Sequence, residues 1–583
     1  MARIAVIHKE KCKPDSSGKF CIKACPVNRT GKECITMGTD GKVVIDEKLC
    51  IGCNICVKCP LEAISIINLP EELDKKPIHR FGVNGFSLYS LPVPVFNKVV
   101  GVLGVNGIGK STAIKILAGM LKPNLGEQGK EASYRDLIEY FKGTEAQLFF
   151  EKVRDGKIKI SYKPQQVDLI PSQFKGKVKE LLKKVDEKNK LEEVAKQLDI
   201  EPILGSNIGE ISGGELQRVA IAAAVLKKAN IYIFDEITSY LDIKQRLNVS
   251  RFIRELADED TAVMVIEHDL IALDYMTDLI HIMYGKEDCY GITSLPRTTK
   301  NGINAYLEGF LKEENIRFRS YKIMFESKAK ERERKYFPLT NWQDIEKKLG
   351  SFELKADSGT VNKNEVVGVL GENGIGKTSF IKVLAGVVKP DKGTVDHKIK
   401  VSYKPQYIDT DSDELVLNVL KDAIKKYNSE VIAPLNIKPL FNKQINQLSG
   451  GELQRVAIAL SLSKDCDLVL LDEPSAYLDV EQRLNVSKTI KNIIETRNIS
   501  AIVVDHDLLF LDYLSDRLLV FNGVPAKQGI VEGPFSMEEG MNSILEILNL
   551  SLRRDELSHR PRINKVGSVK DREQKKKGKL YYS

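Results

Sequence analysis

No stretch of this chain approaches the ~18 consecutive apolar residues that a membrane-crossing helix needs, although the chain runs to 583 residues. A bilayer-spanning helix is thereby excluded. The opening string MARIAVIHKEKCKP has too short an apolar stretch, and no small-residue cleavage site, to serve as a secretory leader. Cysteine is almost missing from most of the chain: beyond Cys59 only Cys289 and Cys466 occur. The other eight of the ten fall between Cys12 and Cys59. Clustering of this kind in a leaderless chain points to metal ligation in a reducing cytoplasm rather than to a disulfide framework. What remains is ordinary for a globular protein, with 42% apolar and 29% charged residues. At roughly 150 residues per domain, the length allows three or four modules with full cores.

The net charge of +8 is unevenly placed: residues 551–583 hold eleven Lys/Arg against four Asp/Glu, or +7. Such a tail is either solvated surface or a face for nucleic-acid phosphates, whose condensed counterions Lys and Arg displace.

Internal repetition decides the architecture. VVGVLGVNGIGKST (99–112) recurs as VVGVLGENGIGKTS (366–379), ISGGELQRVAIA (211–222) as LSGGELQRVAIA (448–459), and VIEHDL (265–270) as VVDHDL (503–508). Between them IYIFDEITSYLD matches LVLLDEPSAYLD, and Ser212 to Glu236, like Ser449 to Glu473, spans 24 residues. In each copy an apolar strand runs into a glycine-rich turn and then a helix, the setting in which backbone N–H groups cradle phosphates. The turns supply Gly104, Asn106, Gly107, Gly109, Lys110, Ser111 and Thr112 in one copy, and Gly371, Asn373, Gly374, Gly376, Lys377, Thr378 and Ser379 in the other. Lys110 and Lys377 suit the β- and γ-phosphates, while Ser111 and Thr378 suit Mg²⁺. Asp235 and Asp472 end apolar strands and also suit the Mg²⁺ shell. Glu236 and Glu473, one residue on, suit polarisation of an attacking water. His268 and His506 follow a further apolar strand, where an imidazole reaches a γ-phosphate. A lone histidine of this kind is more often structural; two in matched positions reverse that.

A P-loop, an SGGELQR string, a DEPS-type segment and a downstream histidine together resemble the ATP-binding-cassette (ABC) ATPases. The resemblance implies an α/β fold with two tandem P-loop nucleotide-binding domains arranged head to tail. ATP then lies between one P-loop and the other copy's signature residues, Ser212, Gly213 and Gly214 or Ser449, Gly450 and Gly451. Site one joins Lys110 and Glu236 to Ser449; site two joins Lys377 and Glu473 to Ser212. Gln165 and Gln406, in the repeated YKPQ, match the family's Mg²⁺-sensing Q-loop, and Asp242 and Asp479 its D-loop at the seam.

The copies are not identical. Lys110 to Gln165 spans 55 residues and Lys377 to Gln406 spans 29, so the first carries an insertion at about 131–156. It reads as two amphipathic helices broken at Gly143, either a tolerated surface excursion or a partner-binding helix–loop–helix. Ile237 stands where the second copy has Pro474. The expected division is 1–75 for the cysteine-rich domain, 76–290 and 341–525 for the cassettes, and 291–340 and 526–583 for two hinge segments, the latter ending in the basic tail. Arg317, Arg319, Arg332, Arg334 and Lys335 make the first segment basic, and its INAYLEGFL argues for a folded piece. Phe81, Phe86 and Phe352, upstream of the P-loops, are candidates for stacking on adenine.

Cys50, Cys53, Cys56 and Cys59-Pro60 approximate the C-x2-C-x2-C-x3-C-P run of two-cluster ferredoxins, in which the fourth cysteine crosses to the other cluster. Cys12, Cys21, Cys25-Pro26 and Cys34 form a looser partner run. A zinc knuckle is the competing reading, disfavoured by the two Cys-Pro junctions. Ferredoxin-like runs ahead of twin cassettes, with CPVNRTGKECI and RPRINKVGSVKDREQKKKGKLYY, resemble ABC subfamily E, the RNase L inhibitor family, along the whole chain. The resemblance implies a cytoplasmic, monomeric ATPase using ATP and Mg²⁺, with two [4Fe–4S] clusters. It also implies that the protein splits ribosomes, stays on the small subunit through ribosomal RNA and protein, links there to initiation, and meets release-factor-like proteins. Two departures stand out: Ser17 where the family has a further cysteine, and one residue fewer between Cys56 and Cys59. One cluster is therefore expected to be short of a ligand unless Cys34 is recruited. The clusters read as a staple for a domain with little core. The alternatives are a redox-gated ATPase and a soluble pair energising a membrane transporter; the second sits poorly with both cassettes and a metal domain on one chain.

Overall fold

The computed structural model describes residues 3–68, 76–325, 337–396, 399–406 and 412–581. Arg332, Arg334 and Lys335 lie outside the described residues.

Each cassette is built on a mainly parallel sheet. In the first, the strands Ile160–Lys163, Ile231–Asp235, Ala262–Ile266, Val99–Leu103 and Leu279–Lys286 lie side by side in parallel, followed by the antiparallel Tyr290–Thr293. In the second, Val401–Lys404, Leu468–Asp472, Ser500–Val504, Val366–Leu370 and Arg517–Val524 repeat that order. Central strands such as VVGVL and LVLLD are buried along their whole length, as continuous apolar runs in parallel sheets are. Each fully buried Val or Leu contributes about 1.5–3 kcal/mol. The P-loops and the acidic Asp235–Glu236 and Asp472–Glu473 pairs (the Walker B segments) therefore lie at the ends of fully buried central strands.

Helix starts are written into the repeated strings. Ser212 and Ser449 accept from the amides of Glu215 and Glu452 in capping boxes that open Gly213–Val225 and Gly450–Ser463. Asp242 and Asp479 cap Ile243–Glu255 and Val480–Arg497. Asp269 and Asp507 cap Leu270–Met276 and Leu508–Leu514. The excursion of the first copy forms helices Tyr134–Tyr140 and Glu145–Arg154 on either side of Gly143, joined through stacked Phe141 and Phe150.

The cysteine-rich domain pairs Arg3–Ile7 with Ile64–Asn68 and Ile35–Met37 with Val43–Ile45. Its small core contains Cys12, Cys21, Cys25, Cys34, Cys56 and Cys59. It docks on the first cassette through Asn84, which exchanges hydrogen bonds with the Ile45 backbone at 2.8 and 3.0 Å, and through the Glu47–Arg80 ion pair.

The hinge segments touch each other: Asn304 Nδ2 donates to Asp555 at 3.1 Å, and the Phe325 amide to the Ser558 carbonyl at 3.4 Å. Much of the basic tail's charge is folded inward. Arg560, with no exposed surface, and Arg562 both pair with Asp274 on Leu270–Met276 of the first cassette. Arg554 pairs with Asp512 on Leu508–Leu514 of the second. Lys565, Lys570, Arg572, Lys576, Lys577 and Lys579 stay exposed.

Candidate functional site

The two P-loops are closely superposable in chemistry. Gly109 and Gly376, at φ +89° and +90°, precede the P-loop helices Lys110–Leu117 and Lys377–Leu384. A Cβ on either would strike a phenyl ring, Phe86 in one copy and Phe352 in the other, at 2.6 and 2.8 Å. The structure thus places Phe86 and Phe352 alike against the P-loops, whereas Phe81 sits apart, half exposed and edge-on to His79. Lys110 Nζ donates to the Gly104 and Val105 carbonyls at 2.9 and 2.7 Å; Lys377 Nζ donates to those of Gly371 and Glu372 at 2.7 and 2.8 Å. Burial lowers both lysine pKa values, that of Lys377 to about 8, against the pull of neighbouring carboxylates. Thr378 Oγ1 donates to Asp472 at 2.8 Å, and Ser111 hydrogen-bonds Asp235 in the same way. Burial raises both aspartates. Thr112 and Ser379 follow on the first turn of the same helices.

Glu236 and Glu473 adopt a left-handed backbone, φ +48° in each, where side chains are strained. Gln165 Nε2 and Gln406 Nε2 donate to their carboxylates at 2.7 Å. His268 Nε2 stands 3.8 Å from Glu236 and His506 Nε2 3.6 Å from Glu473. Burial, then Lys110 and Arg483 of the opposite cassette, push His268 well below its usual range. Burial, then Lys377 and Arg246, do the same for His506, which favours the neutral imidazole at both. Burial and the adjacent Asp235 raise Glu236; burial and Asp505 raise Glu473. Both ring nitrogens of His268 and Nδ1 of His506 are buried without a hydrogen-bond partner among the described residues. Neutral imidazoles, long lysines and glycine-lined amides form a cradle that fits a polyphosphate with its metal ion.

The seam is reciprocal. The Asn373 amide donates to Asp242 at 2.8 Å, and the Asn106 amide to Asp479 at 3.1 Å, so each D-loop carboxylate holds the other cassette's P-loop. Tyr240 and Tyr477 meet hydroxyl to hydroxyl at 3.1 Å. Signature glycines permit this: a Cβ on Gly214 or Gly451 would lie 2.9 or 2.8 Å from the Tyr240 or Tyr477 carbonyl. Ser212 and Ser449, with Gly213 and Gly450, cap their own helices beside these tyrosines. A cavity at site one is lined by Asn106 of the first cassette and Arg455, Asp479 and Asn485 of the second. The two seams differ: Lys244 bridges to Glu372 at 2.9 Å across site two, whereas Glu481, the counterpart of Lys244, turns to Arg319 and Tyr321 of the hinge.

Several residues at the site are invisible to motif reading. Glu267 accepts from the Thr238 and His268 amides at 2.7 Å, and Asp505 from the Ser475 amide at 3.0 Å, each anchoring the loop after the Walker B strand. Gln217 and Gln454 donate to the Glu236 and Glu473 carbonyls, both at 2.6 Å. Their recurrence at matched positions was the available signal.

In the N-terminal domain, burial, then Cys59 and Cys12, raise the Cys21 thiol; burial, then Cys25 and Cys50, push Cys34 up to about 12; burial, then Cys50 and Cys53, push Cys56 up to about 12. Among the described residues no three donors converge on a single-ion position. Eight thiols gathered in one small domain supply the donor chemistry for a multi-iron cationic core.

Fold and site define a twin-cassette ABC-type ATPase carrying a ferredoxin-like iron–sulfur domain. The ABC transporter family matches residues 96–239 and 354–476, and a possible Fer4-like domain of RNase L inhibitor matches residues 2–33. The chain is 44% identical, over its whole length and 99% of the relative, to ABC transporter E family member 1 of Arabidopsis thaliana. It is 42% identical, over its whole length and 98% of the relative, to translation initiation factor RLI1 of Saccharomyces cerevisiae. A solved structure of ribosome-bound archaeal Pelota and ABCE1 superposes with a TM-score of 0.95 at 51% identity, covering 100% of this chain and 99% of that one. Another, of archaeal ribosomal stalk protein aP1 with archaeal ribosome recycling factor aABCE1, gives 0.83 at 52%, covering 87% and 99%. This chain belongs to ABC subfamily E, the RNase L inhibitor family. No helix among the described residues is long and apolar enough to cross a membrane.

Proposed function

We propose that this protein splits ribosomes in the cytoplasm by ATP-driven closure of its cassettes and then remains on the small subunit. The observation that supports this most strongly is the full-length likeness, including hinges and cysteine-rich domain, to a protein described as bound to the ribosome. Glu236 and Glu473 orient the attacking water, with Gln165 and Gln406 aligning their carboxylates and neutral His268 and His506 contacting the γ-phosphate. Lys110 and Lys377 leave their backbone partners for the phosphates, and P-loop amides cradle them. Mg²⁺, held by Ser111, Asp235 and Gln165 or by Thr378, Asp472 and Gln406, would neutralise phosphate charge. Because Asp242 and Asp479 grip the opposite P-loops, nucleotide at either site bears on both cassettes.

Two clusters are assigned to the cysteines, unequally. Cys34 feels the charge of Cys25 and Cys50, and Cys56 that of Cys50, Cys53 and Cys25, so one cluster would draw its thiolates from these five. Cys12, Cys21 and Cys59 neighbour one another and supply three; Ser17, whose hydroxyl donates to the Pro14 carbonyl at 3.1 Å, adds no fourth thiolate. A cluster built on these three would take a fourth thiolate from the first group or be the labile one of the two.

The test is sucrose-gradient sedimentation with small ribosomal subunits and a non-hydrolysable ATP analogue. Co-migration dependent on the analogue is expected. Sedimentation with membranes, or no nucleotide-dependent co-migration, would refute the proposal.

A further inference from the structure

Each cassette carries a lysine almost wholly removed from water at the end of an edge strand: Lys163 on Ile160–Lys163 and Lys404 on Val401–Lys404, both 1% exposed. Burying an ammonium is costly unless it is fully satisfied, and neither lysine forms an ion pair among the described residues. Both spend their protons on main-chain oxygens instead. Lys163 Nζ donates to the carbonyls of Asp235 at 3.0 Å and Glu236 at 3.1 Å. Lys404 Nζ donates to those of Asp472 at 2.7 Å and Glu473 at 3.5 Å.

These carbonyls belong to the turn in which Glu236 and Glu473 hold φ +48°. The same Glu236 carbonyl accepts from Gln217, and its amide donates to the Ile266 carbonyl at 3.0 Å; the Glu473 amide donates to the Val504 carbonyl at 2.8 Å. A left-handed residue persists only where its surroundings over-determine it. With N–H and C=O both fixed, the Cα–Cβ direction is fixed, and so is the reach of the carboxylate towards Gln165 or Gln406. The lysine stands two residues before that glutamine, so one short segment sets both the backbone and the carboxylate of the same glutamate.

We propose that Lys163 and Lys404 are positioning residues for hydrolysis, each holding the strained turn that aims the water-orienting glutamate. The proposal rests on the assignment of Glu236 and Glu473 made above. The duplication supports it: two copies that diverge at Ile237 and in the insertion keep the lysine, its two carbonyl acceptors and the strained φ.

The test reads each site alone. On a Glu473→Gln background, Lys163→Met is expected to lower kcat about 10- to 100-fold, the effect of a small misplacement of a reacting group. Affinity for ATP should stay within about twofold, since the lysine's hold on the turn acts on the transition state. Lys163→Gln retains a donor and should recover part of the activity. Lys404→Met and Lys404→Gln on a Glu236→Gln background should behave in the same way. Adding Lys163→Met to Glu236→Gln in one chain should slow that site no further, because the lysine acts through the glutamate. An unchanged kcat, a parallel fall in ATP affinity, additive slowing, or misfolding of all four lysine variants would overturn the proposal. Should Glu236→Gln alone leave site one fully active, the glutamate assignment fails, an outcome distinct from any lysine result.

Discussion

Asp274 is the place where the C-terminal segment is most tightly bound to the first cassette, and Asp274→Ala is the perturbation that tests it. Arg562 donates to its carboxylate at 2.6 and 2.8 Å, and Arg560 at 3.2 Å. Asp274 and Arg560 are nearly or fully buried, at 4% and 0% side-chain exposure. Removing one partner of a buried ion pair leaves an uncompensated charge and costs about 3–5 kcal/mol. At about 1.4 kcal/mol per decade, the opening equilibrium of the strands Leu552–Arg554 and Pro561–Ile563 should shift by roughly two to four decades. Hydrogen exchange resolved over residues 551–564 reads this directly, through amides such as Asp555, which donates to the Arg560 carbonyl at 2.9 Å. Faster exchange confined to this segment, with ATP affinity retained, is the expected result, because Asp274 touches neither P-loop. Exchange unchanged within about threefold would show that Asp512–Arg554 and the apolar packing hold the tail unaided, and the reasoning from buried charge would fail.

Replacing Glu236 or Glu473 by Gln should slow hydrolysis by at least about tenfold while ATP binding persists. The two variants should differ in turnover, because Lys244–Glu372 spans one seam while Glu481 serves the hinge at the other; equal rates and occupancies would remove that claim. Charge removal at Lys565, Lys570, Arg572 and Lys576 should flatten the salt dependence of ribosome binding by a log–log slope of roughly 0.7–0.9 for each phosphate no longer neutralised; an unchanged slope would make the tail plain solvated surface. Asp555 resists the upward push of burial because the Ser558 and Leu557 amides and Arg560 outweigh it, bringing its pKa down to about 2. A depressed carboxylate stabilises above its unfolded pKa of about 3.9 and loses that stability as pH falls through the folded value. Tail stability should therefore fall by up to about 2 kcal/mol between about pH 4 and pH 2, and Asp555→Asn should flatten that slope in urea unfolding, leaving the part due to Asp571, which burial pushes up but Ser551, the Gly567 amide and Lys575 together hold down.

What was legible in the sequence was whatever local chemistry dictates. Glycines that admit phosphates, serine and aspartate caps, and fully apolar strands announce themselves in short strings, and duplication turned each string into its own control. The single-residue interactions that complete the site depend on long-range folding. Lys163 reaches Asp235 across 72 positions and Glu267 anchors Thr238 across 29, and nothing in YKPQ or IEHD alone distinguishes a buried anchor from an exposed charge. The basic tail shows the same limit. Composition counts Arg554, Arg560 and Arg562 with the exposed lysines, yet their partners Asp512 and Asp274 lie 42 to 288 positions away. Net charge therefore overstated the surface open to nucleic acid.

The placement of those partners bears on how closure travels. Asp274 stands on the helix capped by Asp269, one residue after His268, and Asp512 on the helix capped by Asp507, one residue after His506. The C-terminal segment thus grips, in each cassette, the helix that begins beside His268 or His506. Arg246 donates to Asp269 and Arg483 to Asp507 at 2.9 and 2.7 Å, tying those caps to the D-loop helices. These contacts form a continuous path from each histidine, through its helix cap and a D-loop helix, to the other P-loop and to one end of the hinge. Rigid caps and buried ion pairs, rather than flexible tethers, are what such coupling requires, and both lie where the two repeats and the tail converge.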